Sequence, residues 1–378
     1  MRVIALMEAY TVTGPAKNLL RFCRMAREGA ANGCDISLVT FVRAKANGAP
    51  VSNRFIDEAR ATGVHVDIVS EGGPYDLRII RQLRSVFREN APDVIQTHSL
   101  KSHFLARLTR PSNTRWIAFH HGYTTTDRKM HAYNQLDRWS LPAADRVVTV
   151  CQPFADELAR VGVKRNRIRV LSNAIEWNDN NAIESALLLR QRWNLSEHAS
   201  ILLAIGRMSK EKGHTHLIEA AHLLRKSRPG LDFRVVLVGD GPERARLEEQ
   251  VDNLNLRECI CFTGHQPDPL PFYALADIFV LPSLSEGSPN VLLEAMMAKT
   301  PAVVSAVGGV PEMVEHERSA LLIPPADPAA LANALAKLID DPALAQSLAE
   351  NANADARERH SPQAYCSKLV AIYRELVA

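Results

Sequence analysis

Residues 281–314 read LPSLSEGSPNVLLEAMMAKTPAVVSAVGGVPEMV. The apolar run Ile278–Leu281 reads as a strand that ends where this stretch begins. Turn formers follow at Glu286, Gly287, Ser288 and Pro289, then a helical stretch from Asn290 to Ala298, then a second apolar strand at Pro301–Ser305. Strand, helix and strand in so few residues is a unit of a parallel sheet wrapped in helices. The helix start carries unpaired backbone N–H groups and the positive end of the dipole, which suits a phosphate or a polar sugar edge. Glu286 stands before the helix and Glu294 about one turn inside it. A carboxylate accepts two hydrogen bonds and so matches vicinal hydroxyls, and the pair can hold two parts of one elongated ligand. The plainer alternative is a capping acid and a surface glutamate. Glu294 lies among Leu292, Leu293, Ala295 and Met296, which predicts burial and therefore a partner.

Working outward, ILLAIGRMSKEKGHTHLIEA (201–220) repeats the pattern. A strand ends at Ile205, Gly206 turns, and Arg207 and Lys212 precede a helix that starts near Gly213. Two cations on one strand-to-helix loop can grip a diphosphate, arginine as a fork and lysine as a point charge. Fixed cations at a departing anion stabilise a transition state more than its ground state. In VLVGDGPERARLEEQ (236–250), Gly239, Asp240, Gly241 and Pro242 make a tight turn, but Arg244 fills the third glycine position of a dinucleotide fingerprint, so a nicotinamide reading is weak. In the first half, Gly14 follows the first strand and Pro15 suits a first helical turn. His98 and Lys101 follow another strand, and His120 and His121 a third. A histidine at a strand's carboxyl end can donate to a sugar hydroxyl or act as a base.

The same alternation runs through all 378 residues. The remaining strands are predicted at Val3–Met7, Asp35–Val42, Val64–Val69, Val94–Gln96, Trp116–Phe119, Arg146–Val150, Ser200–Ile205, Phe233–Val238 and Ile260–Thr263. Helices are predicted at Ala16–Ala30, Arg78–Glu89 and His214–Arg225, and over the tail SPQAYCSKLVAIYRELVA. On the segment LRIIRQLRSVFRE, Leu77, Ile80, Leu83 and Phe87 are expected on the core face, opposite Arg78, Arg81, Arg84 and Arg88. The periodicity stops in LSNAIEWNDNNAIES (171–185), which reads as a linker. The expected domains are therefore 1–177 and 178–358, two doubly wound α/β units enclosing a cleft, with 359–378 crossing back onto the first. Ligands in such sheets bind beyond the carboxyl ends of the strands.

The cysteines, Cys23, Cys34, Cys151, Cys259, Cys261 and Cys366, show no zinc spacing and predict neither a disulfide framework nor a structural metal. Cys259 and Cys261 are expected to alternate on one strand as small apolar fillers. The apolar run at Val3–Met7 is too short for a signal-peptide core, and no run is long enough for a membrane span, so a cytoplasmic protein is expected. Residues 1–175 carry 26 Lys+Arg against 15 Asp+Glu, while the rest carries 19 against 27. The basic half suggests an acidic partner: an anionic membrane surface, a lipid phosphate or nucleic acid. Low aromatic content and the lack of a recognition module weigh against nucleic acid.

Taken together these segments resemble glycosyltransferase family 4, retaining enzymes of the two-domain GT-B fold. The resemblance rests on the E-x7-E pattern at Glu286 and Glu294, on GRMSKEKG, VGDGPE, GGVPEMV and ALLIPPADPAALANAL in order, and it spans nearly the whole chain. It implies that Arg207 and Lys212 bind the donor diphosphate, Glu286 contacts the donor sugar and Glu294 holds the ribose hydroxyls. It further implies that Gly14, Gly239, Gly287, Ser288, Asn290, Val291 and Leu292 line the donor pocket and that His120 lies near the anomeric centre, with Glu312 close by. The tail helix would pack on the first domain. Where the family's first loop has two glycines, this chain has Thr13 and Gly14, so only the second is kept; Lys17 replaces a frequent basic residue.

The implied activity is a retaining transfer of a hexose or N-acetylhexosamine from a nucleotide diphosphate sugar, with UDP favoured over GDP-mannose because of the SEGSPN loop. The implied acceptor is a glycan or lipid-linked sugar in bacterial surface polysaccharide or glycolipid assembly. Without a DxD-type site no metal cofactor is expected. Peripheral contact with the inner face of an anionic membrane is expected, and no nucleic acid. The competing readings are a non-catalytic nucleotide-sugar-binding protein on a GT-B fold and a nucleotide-sugar epimerase of the same architecture.

Overall fold

The structure is a computed structural model that describes residues 1–31, 33–43, 53–73, 76–123, 128–177, 182–193, 195–196 and 198–377, without the side chains of 128–132 and 182–183. The chain divides into two units, Met1–Asn173 with Pro362–Ala378, and Ala174–Ser361. The sequence reading placed these breaks after 177 and 358. Ile175 goes with the second unit because its N–H donates to His360 O at 2.8 Å and its side chain is buried in that unit's core.

The first unit holds a seven-stranded sheet of β1 (Arg2–Leu6), β2 (Asp35–Arg43), β3 (His65–Glu71), β4 (Val94–Thr97), β5 (Arg115–His120), β6 (Arg146–Thr149) and β7 (Ile168–Val170), in the order β3-β2-β1-β4-β5-β6-β7. The second holds six strands, β8 (Ser200–Ile205), β9 (Phe233–Val238), β10 (Ile260–Gly264), β11 (Ile278–Leu281), β12 (Ala302–Ser305) and β13 (Leu321–Ile323), in the order β10-β9-β8-β11-β12-β13. All pairings between these strands are parallel. Runs such as SILLAI and FRVVLV are apolar nearly throughout because helices cover both faces of the sheet. In the second unit one core forms around Leu203, Phe279, Leu293 and Val304, and another around Leu202, Leu217, Val280 and Leu335.

In both units the strand order reverses direction beside the first strand, between β1 and β4 and between β8 and β11. Such a switch point leaves an opening beyond the carboxyl ends of the strands, because the connections on its two sides run away from each other.

Several expectations are corrected. The helix Arg78–Asn90 buries Ile79, Leu83 and Phe87, and Leu77 is 76% exposed at its N-cap. The ridge of Ile79, Leu83 and Phe87, spaced four apart, faces the sheet rather than the ridge that begins at Leu77. The edge strands β7 and β13 add to the expected set. The expected linker is shorter, since a helix runs over Ala182–Arg192; residues 178–181 lie outside the described ones. Cys259 precedes β10 instead of lying on it. The tail helix Pro362–Val377 belongs to the first unit, where Tyr373 hydroxyl donates to Gln96 Oε1 on β4. No helix among the described residues is long and apolar enough to cross a membrane.

Candidate functional site

The loops after β8 and β11 meet across the second unit's switch point. Lys212 Nζ donates to Glu286 Oε1 at 2.7 Å, and Ser283 Oγ donates to the same oxygen at 2.7 Å. Oε2 has no hydrogen bond among the described residues. Leu284 N–H donates to Glu211 O at 2.8 Å, which fastens one loop to the other. Glu286 is 8% exposed and Lys212 half-buried, so the pair gives a compensated charge cluster at the sheet's edge. Arg207 lies on the same β8 loop, exposed; its carbonyl accepts from Ser209 N–H at 2.9 Å and its guanidinium has no hydrogen bond among the described residues. This leaves a guanidinium fork open to an anion on the loop that also carries Lys212.

Backbone contacts through glycine hold these loops close. Gly239, at φ +136°, approaches Gly206 so nearly that a Cβ would lie 2.0 Å from Gly206 O. Gly239 is thus an element of loop packing, with its N–H donating to Gly264 O at 2.9 Å. Gly308 does the same under Glu286, as developed below.

The helix Asn290–Met297 follows β11. Glu294 is buried, and its Oε2 accepts from Tyr273 hydroxyl at 2.8 Å. Burial, and then the neighbouring Glu294, hold the Tyr273 phenol well above its ordinary pKa, so it remains a donor. The partner that burial of Glu294 demanded is therefore a tyrosine 21 residues upstream, which no local pattern reveals. Tyr273→Phe is expected to lower stability by about 1–2 kcal/mol, read by urea denaturation, because it strips a buried carboxylate of a donor. The expected row of open amides is interrupted. Pro289 has no N–H, and the N–H of Leu292 donates to Pro289 O at 3.1 Å. Gly287 and Ser288 lie in the turn before it, Asn290 and Val291 in its first turn. Glu312 is exposed, and its carbonyl accepts from Arg359 at 2.7 Å.

In the first unit, Gly14 opens the helix Gly14–Arg27 behind the N-cap Thr13, whose carbonyl accepts from Lys17 N–H at 2.8 Å. Lys101 lies one residue inside the helix Leu100–Thr109, not in the preceding loop. It is taken up by Glu71, and by Glu8 at 3.3 Å. His98 follows β4 and stacks on Phe119, with ring centroids 4.6 Å apart. His120 closes β5, buried, its ring edge-on to Tyr123 and Phe154. Beside it lie two residues the sequence reading missed, His103 and Asp137, joined at 2.6 Å.

Burial keeps several histidines neutral. It lowers His120 to about 4, where Asp137 pulls upward and His103 and Arg138 push down. It lowers His121 to about 3 and, in the second unit, His214 to about 4. Unfolding returns each to about 6.5, so the unfolded chain binds more protons below that pH. The stability these groups contribute is complete above pH 6.5 and is lost as pH falls toward 4. Each is expected to cost about 2 kcal/mol by pH 5. Denaturant titrations at pH 7.5 and pH 5 check this, and equal unfolding free energies would contradict it.

Residues 187–355 match the family model described as glycosyl transferases group 1. Residues 20–174 match the glycosyl transferase 4-like domain. The two matches fall one in each α/β unit, and the fold of the chain is that of the GT-B glycosyltransferases. The solved structure of Anabaena Alr3699/HepE in complex with UDP superposes with a TM-score of 0.83 at 18% identity, covering 99% of this chain and 100% of that one. Among curated proteins, the chain is 36% identical over 191 residues to alpha-D-kanosaminyltransferase of Streptomyces kanamyceticus, 50% of this chain and 48% of that protein. It is 31% identical over 233 residues to 2-deoxystreptamine glucosyltransferase of the same organism, 60% of each. The matches to these two relatives span about half and three fifths of their length.

Proposed function

We propose that this GT-B chain is a retaining, metal-independent glycosyltransferase that moves a hexose or N-acetylhexosamine from a nucleotide diphosphate sugar, UDP-linked by preference, to a glycan or lipid-linked acceptor. The observation that carries this reading is the pairing of Lys212 with Glu286 at the second unit's switch point, on the loop that also carries Arg207. Arg207 and Lys212 grip the diphosphate and stabilise its charge as the bond to the sugar breaks. Glu286 Oε2 receives a sugar hydroxyl while Oε1 stays on Lys212. Glu294, held by Tyr273, takes the ribose hydroxyls. On this reading the second unit binds the donor and the basic first unit the acceptor. HepE, solved with UDP, supports the choice of base.

No carboxylate is assigned as a nucleophile, so the proposed course is attack on the same face as the leaving group, whose phosphate oxygen takes the acceptor's proton. Cations fixed by the fold replace a metal in charge neutralisation. The test is transfer from UDP-sugars and GDP-mannose to a panel of sugars and lipid-linked sugars in excess chelator, with product configuration read by proton NMR. The expected result is an α-linked product from an α-linked donor, undiminished by chelator. Inverted product, or activity restored only by a divalent ion, would contradict the mechanism. Faster transfer to acceptors on anionic vesicles than to short soluble sugars is expected from the basic first unit; equal rates would remove the membrane part of the proposal.

A further inference from the structure

At the carboxyl ends of β4 and β5, Asp137 from the helix Arg128–Ser140 lies fully buried between two histidines. Its Oδ1 meets His103 Nδ1 at 2.6 Å, and its Oδ2 lies 3.9 Å from His120 Nδ1. The other nitrogen of His103 faces Thr97 O at 3.3 Å. A backbone carbonyl only accepts, so His103 Nε2 carries a proton. The short contact at Nδ1 then holds one proton between His103 and Asp137 Oδ1, whichever atom owns it. In either arrangement Asp137 Oδ2 is an acceptor, and among the described residues it has no hydrogen bond. The atom of His120 that faces it is Nδ1. At 3.9 Å this is an electrostatic contact that favours a proton on that nitrogen. His120 Nε2 is buried and has no hydrogen bond among the described residues; the Tyr123 hydroxyl on the neighbouring ring lies close to the same Asp137 carboxylate, and burial and then that carboxylate hold its phenol protonated. Burial keeps the His120 imidazole neutral near pH 7, so the two nitrogens have opposite roles and the tautomer decides which is which.

We propose that Asp137 is a positioning residue that fixes His120 as its Nδ1–H tautomer, so that His120 presents Nε2 to a substrate hydroxyl as an acceptor and not as a donor. His103 positions Asp137 in turn by occupying Oδ1 and leaving Oδ2 turned toward His120. The inference rests on the glycosyltransferase reading only for the identity of the hydroxyl; the tautomer is a property of the protein alone.

The first test is therefore free of activity. The full chain, labelled with ¹⁵N-histidine and with His120 assigned by loss of its signals in His120→Gln, is expected to show Nδ1 protonated and Nε2 bare near pH 7. A protonated Nε2 in the wild-type protein would overturn the proposal. Asp137→Ala removes the acceptor that Oδ2 offers His120 Nδ1, and is expected to move the His120 proton to Nε2; an unchanged tautomer there would also overturn it. In turnover, Asp137→Ala is expected to lower kcat about 10- to 100-fold with donor KM within about twofold, as supporting-residue losses commonly do. Because it acts through His120, it should cost little more in a His120→Ala background. An equal loss in both backgrounds would mean a merely structural role. Should the wild-type chain transfer no sugar, the glycosyltransferase reading fails while the tautomer measurement still decides the role of Asp137.

Discussion

Lys212→Ala is expected to lower kcat/KM by about 10²- to 10³-fold while the chain stays folded. The ammonium sits 2.7 Å from Glu286 on the loop after β8, which also carries Arg207 and where an anionic leaving group would meet it. Its loss removes charge stabilisation that grows as the glycosidic bond breaks, so kcat should fall more than donor affinity. The substitution also strips Glu286 of its cation. Ser283 still donates to Oε1, and Lys212 is part-exposed, so the stability cost is about 1–2 kcal/mol, well below that of opening a fully buried pair. Steady-state kinetics alongside a denaturation curve separates the two effects. Near-normal turnover in a folded variant would remove the proposed mechanism.

Gly308→Ala acts on the same carboxylate from beneath. Gly308 has φ +52°, and a Cβ there would lie 1.7 Å from Glu286 O, a backbone atom that cannot swing aside. The methyl group therefore forces the loop of Glu286 away from the loop of Gly308. Left-handed strain and overpacking together are expected to cost about 2–4 kcal/mol. Displacing Glu286 by about 1 Å relative to Lys212 should cost about 10²-fold in turnover. Gly230→Ala is the control, since a Cβ at Gly230 meets nothing within 4 Å and the change should be nearly silent. A Gly308→Ala chain as stable and as active as the parent would show that the close approach under Glu286 has no consequence.

The parts of this account that were legible in the sequence are those set by local chemistry. Ser200–Ile205, Phe233–Val238 and Ile278–Leu281 are apolar runs closed by glycine or proline, and each is a strand over those residues. β7 and β13 escaped notice because three residues give no periodicity to read, and both lie at a sheet edge. The helix Arg78–Asn90 offered two apolar ridges sharing Leu83 and Phe87, and only contact with the sheet chooses the one through Ile79. In the site, Glu286 and Lys212 were each visible as loop residues, but their pairing spans 74 positions and follows from β8 and β11 being neighbours. Likewise Asp137 and His103, 34 positions apart, carry no signal of their own.

On the proposed reading the loops after β8 and β11 hold a nucleoside diphosphate. The measurement that tests it most directly is the thermal shift of the purified chain with UDP, GDP, ADP and NAD, each in chelator, for the parent and for Lys212→Ala. Stabilisation by UDP is expected, about 5–10 °C at a hundredfold excess over Kd, with no shift from NAD and a much smaller UDP shift in Lys212→Ala. A folded parent chain that responds to none of the nucleoside diphosphates, or a UDP shift that Lys212→Ala leaves untouched, would contradict it.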